Sequence, residues 1–195
     1  MENFEDLFKS AIPQRDKFLA RLFGLFSEAV VREWCACPQA PYENLGRPTL
    51  RPHATPGSWH TLDFTLRSRT SGDCFVAELK CELEYEGYKY LRLDRSQQLD
   101  HHMGNAFKAF LAFANDPQAT DVTAAGKPVS PRGAILVWGA VTNDGVIASK
   151  RTFGFHDVLS VETMISDLRR WESAAWRQRV DELRGWAFEL FDYLA

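Results

Sequence analysis

The stretch Trp59–Tyr85, WHTLDFTLRSRTSGDCFVAELKCELEY, decides how the chain is read. From His60 to Leu66 the residues His60, Leu62, Phe64 and Leu66 alternate with Thr61, Asp63 and Thr65, the two-residue period of a strand with one buried face. Ser68 to Asp73, SRTSGD, supplies turn residues. A second strand follows, with Phe75, Ala77, Leu79, Cys81 and Leu83 on one side and Val76, Glu78, Lys80, Glu82 and Glu84 on the other. The pair reads as a hairpin whose second face is charged. Charges weaken a strand unless they share a face that needs them.

Outward from this hairpin the periodicity changes. Between Pro13 and Glu33 the residues Phe18, Leu19, Leu22, Phe23, Leu25, Phe26, Ala29 and Val30 recur at helical steps and predict a long amphipathic helix, with Pro13 tolerated near its start. The five prolines and two glycines between Cys37 and Ser58 predict a loop with at most one short strand, around Thr49 to Arg51. Downstream, Leu99, Met103, Ala106, Phe107, Phe110 and Leu111 predict a helix over Ser96–Asn115, closed by Asp116-Pro117. Residues 116–132 read as loop, and the apolar run Gly133–Val141 as a central strand covered on both faces. Helical spacing returns over Val161–Trp171 and Trp176–Leu194. Helices flanking a small mixed sheet would bury both of its faces, so the expected class is α/β. The expected organisation is one domain over residues 1–195, with a helical C-terminal extension over about 155–195.

Bulk properties narrow the function less. The 23 basic and 26 acidic residues leave a formal charge of -3, so nucleic-acid binding would have to arise from local geometry. Cys35, Cys37, Cys74 and Cys81 lack the paired spacing of a zinc site and read as free thiols. No signal-peptide pattern opens the sequence and no apolar run reaches membrane-spanning length, so a cytoplasmic protein with no membrane partner is expected.

Period-two geometry gives the charged face a purpose. Glu78, Lys80 and Glu82 project from one side of their strand and Asp63 from the polar side of its neighbour, so the four can converge. Two carboxylates on adjacent strands offer hard oxygen ligands to Mg2+ or Mn2+, and Lys80 would stand beside a water held there.

At these residues the chain resembles the PD-(D/E)XK nuclease superfamily, in which an aspartate is followed after a turn by an acid-x-lysine triplet, here Asp63 and Glu78-Leu79-Lys80. Leu62 stands where that family's proline would precede the aspartate. The resemblance covers roughly residues 15–141 and implies a restriction endonuclease-like α-β-β-β-α-β core. It implies Asp63 and Glu78 as metal ligands and Lys80 as the catalytic lysine. It implies support from a first-helix glutamate, Glu28 in preference to Glu33, and from a glutamine of the following helix, Gln97 or Gln98. The implied activity is Mg2+- or Mn2+-dependent hydrolysis of phosphodiester bonds in nucleic acid, with DNA expected and a homodimer the assembly suited to cutting both strands.

Other residues carry weaker signals. Gln98, His102 and Asn105 would share a face of the predicted helix and contact phosphate or support the metal site. Glu82 extends the acidic face. Arg67, Arg69, Lys89, Arg92 and Arg95, with Arg47 and Arg51, could track a phosphate backbone, although Asp73, Glu84, Glu86 and Asp94 interleave with them. His53 and His60 are lone histidines, His60 on the core side of its strand, and Trp171, Trp176 and Trp186 suit a core or a dimer surface. Two other readings stay open: a nuclease-fold binding module without turnover inside a larger assembly, and an unrelated α/β protein whose alternating charges pair on a solvated sheet face.

Overall fold

Phe23, Ser27, Val30, Val31, Trp34 and Cys35 fall at three- and four-residue steps and form the buried stripe of α1 (Lys17–Ala36). This is the first α-helix of the computed structural model, which describes residues 4–10, 16–85 and 88–195. Asp16 caps it, its Oδ1 accepting from the Leu19 amide at 2.9 Å. Pro13, the expected start, and Glu86 lie outside the described residues. The chain continues through β1 (Tyr42–Asn44), β2 (Pro48–Pro52), β3 (His60–Thr61), β4 (Phe64–Ser68), β5 (Cys74–Lys80), β6 (Arg92–Leu93) and a 3-10 turn at Ser96–Leu99. Then come α2 (Asn105–Asn115), β7 (Thr120–Ala124), β8 (Lys127–Val129), β9 (Ala134–Trp138), β10 (Ala140–Val141), α3 (Asn143–Phe153), β11 (Asp157–Ser160), α4 (Val161–Arg170) and α5 (Ala174–Leu194).

The protein is mixed α/β. Its main sheet has the order β1-β4-β5-β9-β11, with β1, β4 and β5 antiparallel in succession and β9 and β11 added in parallel. Parallel neighbours need a crossover, and α2 and α3 lie in the two connections. A second sheet, β3-β2-β7-β8, and a two-stranded pair, β10-β6, complete the strands.

Apolar side chains divide between the two faces of the main sheet. Phe64, Leu66, Phe75, Ala77, Leu79, Ile135 and Val137 pack with Val30, Val31 and Trp34 of α1 and with Met164, Ile165 and Leu168 of α4. Val76, Ala134, Leu136 and Trp138 face the other way, against Phe107, Phe110 and Phe113 of α2 and Leu50 and Val122 of the second sheet. Each of the larger of these side chains contributes about 1.5–3 kcal/mol on burial, which explains why β9, buried throughout, can be wholly apolar.

Several expectations are corrected here. The predicted strand His60–Leu66 is divided: β3 pairs with β2, whereas β4 pairs with β1 and β5, and the chain changes sheets at Leu62–Asp63. Leu62 therefore faces the α2 side while Phe64 and Leu66 face α1. The strand near Thr49–Arg51 exists as β2, in the second sheet, and Tyr42–Asn44, read as loop, forms the edge strand antiparallel to β4. The polar face of the hairpin is not open, because Thr65 and Val76 are fully buried beneath the α2 side. The second strand stops at Lys80, short of Glu82 and Glu84.

The helix predicted over Ser96–Asn115 is interrupted between Leu99 and Asn105, where the His101 ring bonds the Gln98 carbonyl and Gly104 takes an extended conformation before α2. The loop predicted over 116–132 contains a hairpin turning on Ala125 and Gly126, both at positive φ as a two-residue turn demands. Helix α3 and strand β11 were not anticipated. The terminal helix α5 buries Trp176 but leaves Trp186, Phe188, Phe191 and Tyr193 exposed. None of the described helices is long and apolar enough to cross a membrane.

Candidate active site

Asp63 lies at the bend between the two sheets, where its backbone has left β3 and not yet entered β4. Its Oδ2 accepts from the Leu79 amide of β5 at 2.9 Å, which fixes the carboxylate beside the strand that carries Glu78. Its Oδ1 lies 3.7 Å from the Arg47 guanidinium. Glu78, near the C-terminal end of β5, is only 5% exposed. Lys80, two residues on and on the same side, donates from Nζ to Glu78 Oε1 at 2.7 Å and lies 5.4 Å from the centre of the Phe107 ring. The other oxygen, Glu78 Oε2, is buried and accepts no hydrogen bond from the described residues.

A carboxylate so placed is costly to ionise. Burial pushes the Glu78 carboxyl up to about 7; the Lys80 ammonium pulls it down, and the neighbouring Asp63 carboxylate raises it. A buried acid with a spare oxygen, a second acid beside it and one ammonium is the donor set a hard divalent cation would satisfy.

These residues open onto a groove of about 620 Å3 between the end of β5 and the first half of α1. Glu28 lines the opposite wall, with its carboxylate paired to Arg32 at 2.8 Å, whereas Glu33 faces elsewhere. Lys17 and Arg21, exposed on the same helix face, stand along the groove with Glu28. Sequence reasoning overlooked them, although their eleven- and seven-residue spacing to Glu28 was readable.

The structure brings Asp63, Glu78, Lys80, Glu82 and Glu28 to one groove. Gln98 is placed differently. It is buried, its Oε1 accepts from the Asp94 and Arg95 amides, and its Nε2 donates to the Lys89 and Arg92 carbonyls. It holds a loop together and shares no helix face with His102 and Asn105; Gln97 is exposed on the same 3-10 turn.

Among the basic residues, Arg67 pairs with Glu43, Arg69 donates to the Cys35 carbonyl and Arg92 pairs with Glu5. Lys89 and Arg95 are exposed, and neither lines the groove. His60 is half-buried beside the Ser58 hydroxyl and His53 pairs with Asp121, both away from the site. All four cysteines are free thiols, and burial pushes Cys35 and Cys81 up to about 12, out of reach of thiolate chemistry.

A second pocket of about 350 Å3 shares Glu78, Lys80 and Glu82 with the groove and is closed by Tyr88, His101, His102 and Met103. It lies where the predicted helix is broken. Compared with family models, with curated proteins and with solved structures, the chain matches none.

Proposed function

We propose that the protein is a divalent-metal-dependent phosphodiesterase acting on nucleic acid. The observation that carries this reading is the buried Glu78 carboxyl, which among the described residues has no cation on Oε2, lies within hydrogen-bonding reach of the Asp63 carboxyl and is bonded through Oε1 to Lys80 at the wall of an open groove. A carboxylate whose charges merely paired on a solvated sheet face would be exposed; this one is not.

The connectivity supports it too. Helix α1, the antiparallel series β1-β4-β5, helix α2 and the parallel strand β9 follow the α-β-β-β-α-β order of the PD-(D/E)XK core that the sequence resembles. Asp63 and Glu78 would hold Mg2+ or Mn2+, with Glu28 across the groove. Such an ion supplies Lewis-acid stabilisation of phosphoryl oxygens and lowers the pKa of water.

The chain's own residues have separable tasks. Lys80, anchored by Glu78 and backed by Phe107, keeps its ammonium at the mouth of the site, where it orients an attacking water and offsets charge on the phosphoryl group. Asp63 is positioned by the Leu79 amide, so its carboxylate needs no reorganisation when substrate arrives. Lys17 and Arg21 put positive charge along the wall opposite, where a phosphate backbone would run. DNA is the expected substrate.

Plasmid, single-stranded DNA and RNA incubated with EDTA, Mg2+ or Mn2+ test this, comparing wild type with Lys80→Ala. Metal-dependent cleavage that disappears in the mutant supports the reading. Equal cleavage in both, or none on any substrate by folded protein, removes it.

One observation favours a second reading, a nuclease-fold module that binds nucleic acid without turnover. Each acid already faces a protein cation: Asp63 with Arg47, Glu78 with Lys80, Glu28 with Arg32. Nucleic-acid binding without cleavage, unchanged in Lys80→Ala, would favour it.

A further inference from the structure

The broken helix after β6 brings together three metal-binding side chains that the phosphodiesterase reading does not use as a set. Among the described residues, Glu82, His101 and His102 are the one group of three whose donor atoms all lie within 4.8 Å of one another. Glu82 comes from the segment just after β5 and the two histidines from the segment joining the 3-10 turn to α2. We propose that they form a separate site for a borderline transition-metal dication such as Zn2+.

The hydrogen bond at His101 Nδ1 is one that metal-bound imidazoles use. His101 Nδ1 faces the Gln98 carbonyl oxygen at 2.5 Å, and a carbonyl only accepts, so Nδ1 carries the proton and Nε2 presents its lone pair. That carbonyl is itself held in place, because the Gln98 side chain ties the backbone at Lys89, Arg92, Asp94 and Arg95. The Tyr88 hydroxyl meets His101 Nε2 at 2.7 Å and is the group that a cation would displace. His102 is wedged edge-on against Phe107 and Trp138, ring centres 5.1 and 5.5 Å away, which limits its rotation. Its Nδ1 lies 4.0 Å from Glu82 Oε1.

Four-coordinate zinc with ligands at about 2.0–2.1 Å sets neighbouring donors about 3.3 Å apart, so closing the site asks for a contraction of up to about 1.5 Å. Two imidazoles and one carboxylate select Zn2+ and its neighbours over Mg2+, which prefers oxygen alone. Three protein ligands at the wall of a 350 Å3 pocket leave a fourth position open to water or to an anion. The Asp63–Glu78 pair, all oxygen, is the harder site.

Zinc K-edge absorption spectroscopy on the stripped and zinc-loaded wild-type chain tests this directly, with affinity measured against a chromophoric chelator. One zinc per chain with scattering from two imidazoles is expected. Affinity should fall at least about 10- to 100-fold in His101→Asn and in Glu82→Gln, since even outer-shell changes cost that much, and stay unchanged in His53→Asn, whose ring pairs with Asp121 away from both sites. Zinc bound without imidazole scattering, no zinc retained at micromolar concentration, or affinity lost in Asp63→Asn but kept in His101→Asn would overturn the proposal. The wild-type spectrum depends on no variant folding. None of these readouts uses cleavage, so failure of the phosphodiesterase reading and failure of the zinc site are separately visible.

Discussion

Glu78→Gln is expected to make the protein more stable at pH 8. The Glu78 carboxyl ionises near 7 in the folded protein against an ordinary value of 4.5, with burial the main cause. The folded state therefore holds this proton more tightly than the unfolded state does. Stability from this group is fully present below pH 4.5 and is lost as pH rises towards 7, the reverse of an acid held by a salt bridge. At about 1.4 kcal/mol per pH unit, the loss reaches about 3 kcal/mol by pH 8 and under about 1 kcal/mol at pH 5. Glutamine keeps the shape and cannot ionise. Its advantage should thus be about 2–3 kcal/mol larger at pH 8 than at pH 5, or about 5–10 °C in melting temperature for a chain of this size. Urea unfolding of both proteins at the two pH values, in EDTA, measures it. A Gln variant less stable than wild type at pH 8, or an advantage equal at both pH values, would refute the reasoning. Such a trade of stability for charge is common where a site must bind something.

Other consequences are as concrete. Glu28→Gln should reduce metal-dependent cleavage while leaving the fold intact, since its carboxylate reaches only the groove and Arg32; a kcat unchanged under saturating Mg2+ would remove it from the site. Gly145→Ala should destabilise by about 1–3 kcal/mol or more, because a Cβ there would meet the Leu93 carbonyl oxygen at 2.1 Å; chemical denaturation reads it, and a neutral result would show that α3 and β6 shift apart freely. Gln98→Ala should cost about 1–3 kcal/mol, as two amides and two carbonyls of a part-buried loop lose their partner. Amide exchange should accelerate at Asp94 and Arg95 first.

Periodicity carried the secondary structure wherever a side-chain face decided it. The α1 stripe, the alternation across Phe64–Leu66 and Phe75–Leu79, and the wholly apolar β9 were all readable because each meets a covered surface. Helix α3 was not, because Gly145 and Ser149 face inward and its close approach to β6 rests on small size, which hydrophobic patterning does not register. Hairpin β7–β8 was missed because Ala125 and Gly126 occupy a turn usually marked by asparagine and glycine. That Glu78 and Lys80 share one side of a strand was legible from alternation, whereas the approach of Asp63 and Glu28 to them depends on the bend at Leu62–Asp63 and on the packing of α1, which alternation does not register. The Glu82–His101–His102 grouping was not legible, since it exists only because the predicted helix breaks at His101, whose ring bonds the Gln98 carbonyl and the Tyr88 hydroxyl.

The change of sheets at Leu62–Asp63 has a mechanical side. Asp63 hangs from a hinge of backbone whose upstream arm is clamped in one sheet and whose downstream arm is clamped in the other. The gap between the two acids is therefore set by the dihedral angle between two slabs, with the Leu79 amide as the latch that holds it. The β3-β2-β7-β8 slab lends no side chain to the groove, yet it is the lever arm that aims one jaw of the clamp.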